Sequence, residues 1–195
     1  MKNLFKYILK NNKKQIIFDF DKTLFKLIID WEKYFQEIEN KLISIDKSIY
    51  SDYINKLINW CEMQNLYVER YGVSMKKLIC ANNINSELYL YKKSIPNKYL
   101  INLINKLDKH FLYIWSSNTR ELIIKILEQN NILIKFKKIV CRNDVQFLKP
   151  KPDGFLKLKD PNVSLKSYLL IGDSKNDENA AKNIGIDFYK INYFG

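Results

Sequence analysis

Lys14-Gln15-Ile16-Ile17-Phe18-Asp19-Phe20-Asp21-Lys22-Thr23-Leu24 is the stretch from which the rest of the chain can be read. Residues suited to a buried strand run directly into two acids spaced i, i+2. Side chains two apart on an extended backbone point to the same side. Asp19 and Asp21 are therefore delivered to one small volume at the end of a strand. Unpaired like charges there are costly, so the arrangement points to chemistry or to a metal. A surface turn carrying two acids is the plainer alternative, and the apolar strand before them argues against it.

Outward from this segment, the reading splits in two. After the first strand comes a helical stretch, from about Asp30 to Lys93. Trp31, Tyr34, Phe35, Ile38 and Leu42 form one stripe at helical spacing, and Tyr50, Tyr53, Ile54, Leu57 and Cys61 repeat it. A third segment closes at Tyr71-Gly72, where Gly suits a helix end. Ser74 then reads as the N-cap of a further helix, and another helical piece covers Asn85 to Tyr91. Pro96 fits the first turn of a helix running to Lys109.

Beyond that point strands and helices alternate. Phe111–Trp115, Lys138–Cys141, Tyr168–Ile171 and Asp187–Ile191 read as strands. Helices through Leu122–Leu127 and Asn176–Asn183 lie between them. This pattern predicts an α/β fold: a Rossmann-like parallel sheet with helices on both faces. The helical stretch is then a small cap inserted after the first strand. The expected division is a core of residues 1–25 and 95–195, and a cap of residues 26–94.

Three later segments also place polar groups where an apolar run ends. Ser116-Ser117-Asn118 follows a strand, Lys149 sits in the Pro-bounded run Lys149-Pro150-Lys151-Pro152, and Gly172-Asp173-Ser174-Lys175-Asn176-Asp177 follows another strand. Ligands of open α/β sheets bind beyond the carboxyl ends of the strands, where all four segments would meet.

In these segments the chain resembles the haloacid dehalogenase-like (HAD) hydrolases. Asp19-Phe20-Asp21-Lys22-Thr23, Ser117-Asn118, Lys149-Pro150-Lys151-Pro152 and Gly172-Asp173-Ser174-Lys175-Asn176-Asp177 match its four motifs in order, and the resemblance covers nearly the whole chain. Asn179–Ile186 resembles the segment that follows the last motif. The insert's position resembles the helical-cap subgroup, which includes phosphoglycolate phosphatase and β-phosphoglucomutase. Lys22 departs from the pattern, since Gly is commonest there.

The resemblance implies that Asp19 is a nucleophile forming an aspartyl-phosphate. It implies that Asp21 is the general acid and base. Mg²⁺ would be held by Asp19, the backbone carbonyl of Asp21, and Asp173. Ser117, Asn118 and Lys149 would bind the phosphoryl oxygens, with Thr23 and Asp177 supporting from behind. Two unit charges about 5 Å apart at an effective dielectric near 20 interact by roughly 3 kcal/mol, so clustered carboxylates and a phosphate need a divalent cation and Lys149. The acid at position 21 points to a phosphatase, with a phosphomutase as the nearest alternative. The expected partner is a small phosphorylated metabolite.

Composition bounds the alternatives. The chain has 195 residues, 47% hydrophobic, enough for one catalytic-sized domain with a small insert. No apolar run reaches membrane-spanning length, so no membrane partner is expected. Met1–Lys10 reads as a short amphipathic helix or arm. Cys61, Cys80 and Cys141 are odd in number and far apart, which suggests reduced thiols and a cytoplasmic protein. His110, the only histidine, reads as a surface residue.

The net charge of +12 raises a nucleic-acid-binding protein or a nucleic-acid end phosphatase as alternatives. Only Arg70, Arg120 and Arg142 are arginine among 33 basic residues, and the lysines are dispersed, so a solvated lysine surface is the simpler reading. Within the insert, Arg70, Tyr71, Lys76 and Lys77 read equally well as contacts for a distal anion and as a solvated helix end.

Overall fold

A computed structural model describes residues 3–194. In chain order the elements are α1 (Asn3–Lys10), β1 (Gln15–Phe18), β2 (Phe25–Ile29), α2 (Trp31–Ile45), α3 (Lys47–Ile54), α4 (Trp60–Leu90), β3 (Tyr91–Pro96) and α5 (Lys98–Ile104). They continue with β4 (Phe111–Trp115), α6 (Arg120–Gln129), β5 (Phe136–Val140), α7 (Asp153–Leu158), β6 (Tyr168–Gly172), α8 (Lys175–Ile184) and β7 (Asp187–Lys190).

Five strands form one sheet in the order β5-β4-β1-β6-β7, with every neighbouring pair parallel. This is the α/β, Rossmann-like architecture that the alternation predicts. The two-residue period explains its core. Ile16 and Phe18 of β1, Leu112 and Ile114 of β4, and Leu169 and Ile171 of β6 face one apolar cluster. Ile17, Tyr113, Trp115, Tyr168 and Leu170 face the other. Strands buried on both faces need continuous apolar runs, which these three have. Leu4 and Ile8 of α1 are buried in the first cluster.

β1 lies centrally, with Phe18 opposite Ile114 on one side and Ile171 on the other. Asp19 continues the ladder, its N–H donating to Ile171 O at 2.9 Å. The ends of β1, β4 and β6 therefore leave the sheet together. That register positions the site.

The helices between Trp31 and Leu90 have a core of their own, built on Ile38, Leu42, Ile49, Met63, Tyr67 and Ile79. Several readings of this region need correction. The stripe through Tyr50–Cys61 is broken: α3 stops at Ile54, and Asn59 N-caps α4 by accepting from the N–H groups of Cys61 and Glu62. Leu57, expected on the buried stripe, is 72% exposed.

Ser74 is not an N-cap, because its Oγ donates to Tyr71 O. The break expected at Tyr71-Gly72 is present: Gly72 leaves helical geometry at φ 72° and ψ −154°, and two helices meet there in a kink within α4. The expected helix over Asn85–Tyr91 is the end of α4.

β2 and β3 form an antiparallel ribbon that no sequence signal had separated from the helices. It carries the chain out of the sheet and back. Pro96 closes β3, and Asn97 N-caps α5, which ends at Ile104 and not at Lys109. No helix among the described residues is long and apolar enough to cross a membrane.

Candidate active site

Asp19 and Asp21 leave β1, Ser117 and Asn118 follow β4, and Asp173 follows β6. With Lys149, all six line one pocket of about 240 Å³. The i, i+2 spacing does bring both first-motif acids to one place. Lys149 is the organising cation. It is 3% exposed, and its Nζ donates to Asp19 Oδ1 at 2.6 Å, to Trp115 O at 3.0 Å and to Asp177 Oδ1. These three bonds use its three N–H groups. Lys151 is half exposed and pairs with Glu69 instead.

Asp177 lies behind the pocket wall. Its Oδ2 accepts from the N–H and Oγ of Ser174 in a capping box at the start of α8, while Oδ1 holds Lys149. Capping and lysine positioning, two separate readings of this acid, are both present. Gly172 permits it, since a Cβ there would meet Asp177 Cβ at 2.6 Å. Thr23 Oγ1 donates to Asp173 Oδ1 at 3.1 Å, fixing that carboxylate from behind. Ser117, not Ser116, is the hydroxyl in the pocket. Ser116 is buried, with Oγ donating to Asn118 Oδ1 and accepting from its N–H.

Electrostatics follow from burial. Burial pushes the Asp19 carboxyl up to about 8, with Asp177 adding to the rise and Lys149 opposing it. Burial likewise pushes Asp21 up to about 6, against the pull of the Leu27 N–H, which donates to its Oδ1 at 2.8 Å. Asp173 is raised by burial and by Asp177. Burial pulls Lys149 down, but Asp177 and Asp19 outweigh it and hold it above its ordinary value.

At this end the carboxylates Asp19, Asp21, Asp173 and Asp177 outnumber the lysines beside them, Lys149 and Lys22. Asp19, Asp173 and Asp177 each bring an oxygen within 4.8 Å of the others. Asp177 is already engaged on both oxygens, so Asp19 and Asp173 are the carboxylates free to face a cation. Hard oxygen donors of this kind fit Mg²⁺. Lys22 adopts φ of 58°, a left-handed conformation that explains why glycine suits this position.

The opposite wall comes from the helical layer and from one arginine. Trp31, Tyr34, Phe35 and Trp60 line it, with Phe35 and Trp60 rings 4.7 Å apart. Trp31 therefore both packs and faces the pocket. Cys61, Glu87 and Arg142 complete this end. Sequence reasoning did not single out Glu87, Trp60 or Arg142 as site residues. Arg142 carried one signal: arginine is rare in a chain rich in lysine.

The insert's own candidates lie elsewhere. Arg70 and Tyr71 bind Asp46, and Lys76 Nζ donates to Arg142 O at 3.0 Å. His110 sits before β4, at the end of the sheet remote from the site. It is half-buried there and does not line the pocket.

The sequence pattern of the haloacid dehalogenase-like hydrolases matches residues 16–191. No curated protein matches the chain. Among solved structures, a haloacid dehalogenase-like hydrolase from Bacteroides fragilis is similar with a TM-score of 0.62 at 21% identity, covering 91% of this chain and 87% of that one. A HAD hydrolase from Bacillus subtilis, bound to magnesium, has a TM-score of 0.55 at 18% identity, covering 92% and 87%. A HAD family enzyme from Bacteroides thetaiotaomicron, in complex with magnesium and inorganic phosphate, has a TM-score of 0.52 at 22% identity, covering 94% and 96%. The motif-bearing strand ends converge on one acid-lined pocket and the family pattern spans nearly the whole chain, so this chain belongs to the haloacid dehalogenase-like hydrolases.

Proposed function

We propose that the chain is a Mg²⁺-dependent phosphatase acting on a small phosphorylated metabolite. The observation that carries this reading is the meeting of Asp19, Asp21, Asp173 and Ser117 around a buried Lys149 in one cavity. Asp19, Asp173 and the backbone carbonyl of Asp21 would hold the cation. When bound, Mg²⁺ neutralises phosphoryl charge and helps orient the group in line.

Asp19 is the nucleophile: its carboxylate oxygen bonds to phosphorus as the ester oxygen leaves, giving an aspartyl-phosphate. Asp21 donates a proton to the leaving oxygen; its carboxylate then takes a proton from water as the water oxygen bonds to phosphorus and the bond from phosphorus to the Asp19 oxygen breaks, releasing phosphate and the free carboxylate. A carboxyl at about 6 is suited to both duties near neutral pH. The Ser117 hydroxyl donates to a phosphoryl oxygen. Lys149 reaches the phosphate by releasing Asp19, since its N–H groups are otherwise engaged. Until then it holds the nucleophile in place. The aromatic wall opposite excludes bulk water from this chemistry.

The test is phosphate release from a panel of phosphorylated metabolites with Mg²⁺. Wild-type protein should release phosphate and lose activity on chelation. Asp19→Asn should lower turnover by roughly 10⁴-fold or more. Robust turnover by Asp19→Asn, or after exhaustive chelation, would refute the reading. Conversion of a hexose 1-phosphate into an isomeric ester, without free phosphate, would identify a mutase instead.

A further inference from the structure

The loop that carries Lys149 is held by a side chain from the helical layer. Between Val145 and Pro152 the chain forms neither strand nor helix, so its backbone groups have no regular ladder to join. Leu148, immediately before Lys149, is nonetheless buried. Its N–H donates to Asn65 Oδ1 at 2.8 Å. Its carbonyl accepts from Asn65 Nδ2 at 2.9 Å, as well as from the Lys151 N–H. One amide side chain thus supplies the acceptor and the donor that a neighbouring strand would.

Asn65 lies in α4, 83 positions before Leu148. Asn is a poor helix former, and a buried amide costs free energy unless it is paired. Asn65 is 4% exposed, and the two bonds to the loop satisfy it. Two further ties hold the loop from the surface: Lys151 pairs with Glu69, and Asn183 Nδ2 donates to Pro150 O at 3.2 Å. The same helix also reaches the loop after β4. Glu87 is buried, and its Oε2 accepts from the N–H and Oγ1 of Thr119 while Oε1 accepts from Asn118 Nδ2. α4 therefore grips both loops that carry the proposed phosphate-binding groups.

This grip bears on the reaction through Lys149. Its Nζ has three acceptors, one of which is Asp19. When it leaves Asp19 for the phosphoryl group, one of the bonds that fix the ammonium is lost, and the stem of a lysine is flexible. The backbone at Leu148 then determines where the ammonium can reach. We propose that Asn65 is a positioning residue: through the Leu148 backbone it sets the place at which Lys149 Nζ meets the phosphoryl group. This rests on the phosphatase reading and gives the helical layer a part in the reaction beyond covering the pocket. Asn65 does not line the pocket, so it acts through Lys149 and not on the substrate.

Turnover of p-nitrophenyl phosphate with Mg²⁺ gives the first reading. Asn65→Leu keeps the volume and removes both bonds. Its kcat per folded molecule should fall by about 30–100-fold with KM changed by less than about threefold, since misplacing a reacting group by an ångström is costly while uniform binding is spared. A role confined to stability would lower the folded fraction and leave kcat per folded molecule as it was. Glu69→Gln removes an exposed tie to the same loop and should keep kcat within about twofold.

The second reading needs no turnover: acetylation of the Mg²⁺-free protein by acetic anhydride, followed by mass spectrometry. Lys149 should be protected in the wild type and labelled at least about tenfold faster in Asn65→Leu, because the loop is freed locally. Lys13, equally buried at the opposite end of the sheet, should keep its rate. Asn65→Asp keeps an acceptor for the Leu148 N–H. It should lie between wild type and Asn65→Leu in both readings, and it carries the test where the leucine variant does not fold.

Wild-type kcat in Asn65→Leu, or unchanged labelling of Lys149, would overturn the proposal. So would an equal acceleration at Lys13, or a loss in Glu69→Gln as large as that in Asn65→Leu. Failure of the wild type to cleave any phosphomonoester would refute the phosphatase reading alone, and the labelling ratio would still decide whether Asn65 holds Lys149.

Discussion

The two ends of the pocket are built on opposite terms. At the carboxylate end, polar groups answer one another: Lys149 has three acceptors, Asp177 joins it to the α8 cap, and Thr23 holds Asp173. At the arginine end, Trp60 Nε1 and Arg142 Nε have no hydrogen-bond partner, and neither do Gln64 Nε2 and Asn83 Nδ2, whose residues do not line the pocket. The first end is preorganised, as reacting groups must be to stabilise charge without rearranging. The second is left unsatisfied by the protein itself.

Breaking the organised end should produce the largest effect. Lys149→Met removes the partner of two buried carboxylates. Stability should fall by about 3–5 kcal/mol, read by urea unfolding. Turnover should fall by about 10²–10³-fold at temperatures where the variant stays folded. A variant of unchanged stability would mean that the lysine does not bind this end together.

Gly172→Ala acts on the same network from below, pressing a methyl against Asp177. A loss of about 1–3 kcal/mol is expected in the same assay, with reduced phosphate release.

A pH series on chelated protein tests the electrostatic half of the comparison. Asp19 and Asp21 are raised in the folded state to about 8 and about 6, from an ordinary value of 3.8. Between those limits the folded protein binds more protons than the unfolded chain, so stability falls as pH rises. Thermal midpoints should decline from about pH 4 to about pH 8. Asp19→Asn should flatten the upper part of the slope, and Mg²⁺ should restore most at the alkaline end. A midpoint that climbs across this window would contradict the sign of both shifts.

The smallest effect sharpens the other end. Trp60→Phe keeps a ring and deletes one orphaned N–H. The ligand-free protein should be unchanged or gain up to about 1 kcal/mol. A loss of several kcal/mol would show that this nitrogen has a role in the fold itself.

The legibility of these regions differed for a physical reason. β1, β4 and β6 are short apolar runs, and each ends in the residues that chemistry needs, so strand, rim and reacting group could be read together. Asp19, Asp21, Asp173 and Lys149 were all visible in this way. The ribbon of β2 and β3 was not, because Lys92-Lys93-Ser94-Ile95 has neither a helical stripe nor an apolar run. Its pairing joins residues more than sixty positions apart, such as Phe25 and Pro96. The break between α3 and α4 was hidden because Leu57 continues a helical spacing while facing solvent.

Local sequence determined the parallel sheet, its order of helices and strands, and the acids and lysine at its rim, since the two-residue period and abrupt polar endings act over a few residues. Only the tertiary structure decided which arginine faces the pocket. Arg70 and Arg142 look alike in sequence, yet one is exposed and binds Asp46 on the helical layer while the other is buried at the seam. Burial and the absence of a partner are properties of the assembled chain, because the groups that surround Arg142 come from α2, α4 and the loops after β4 and β5.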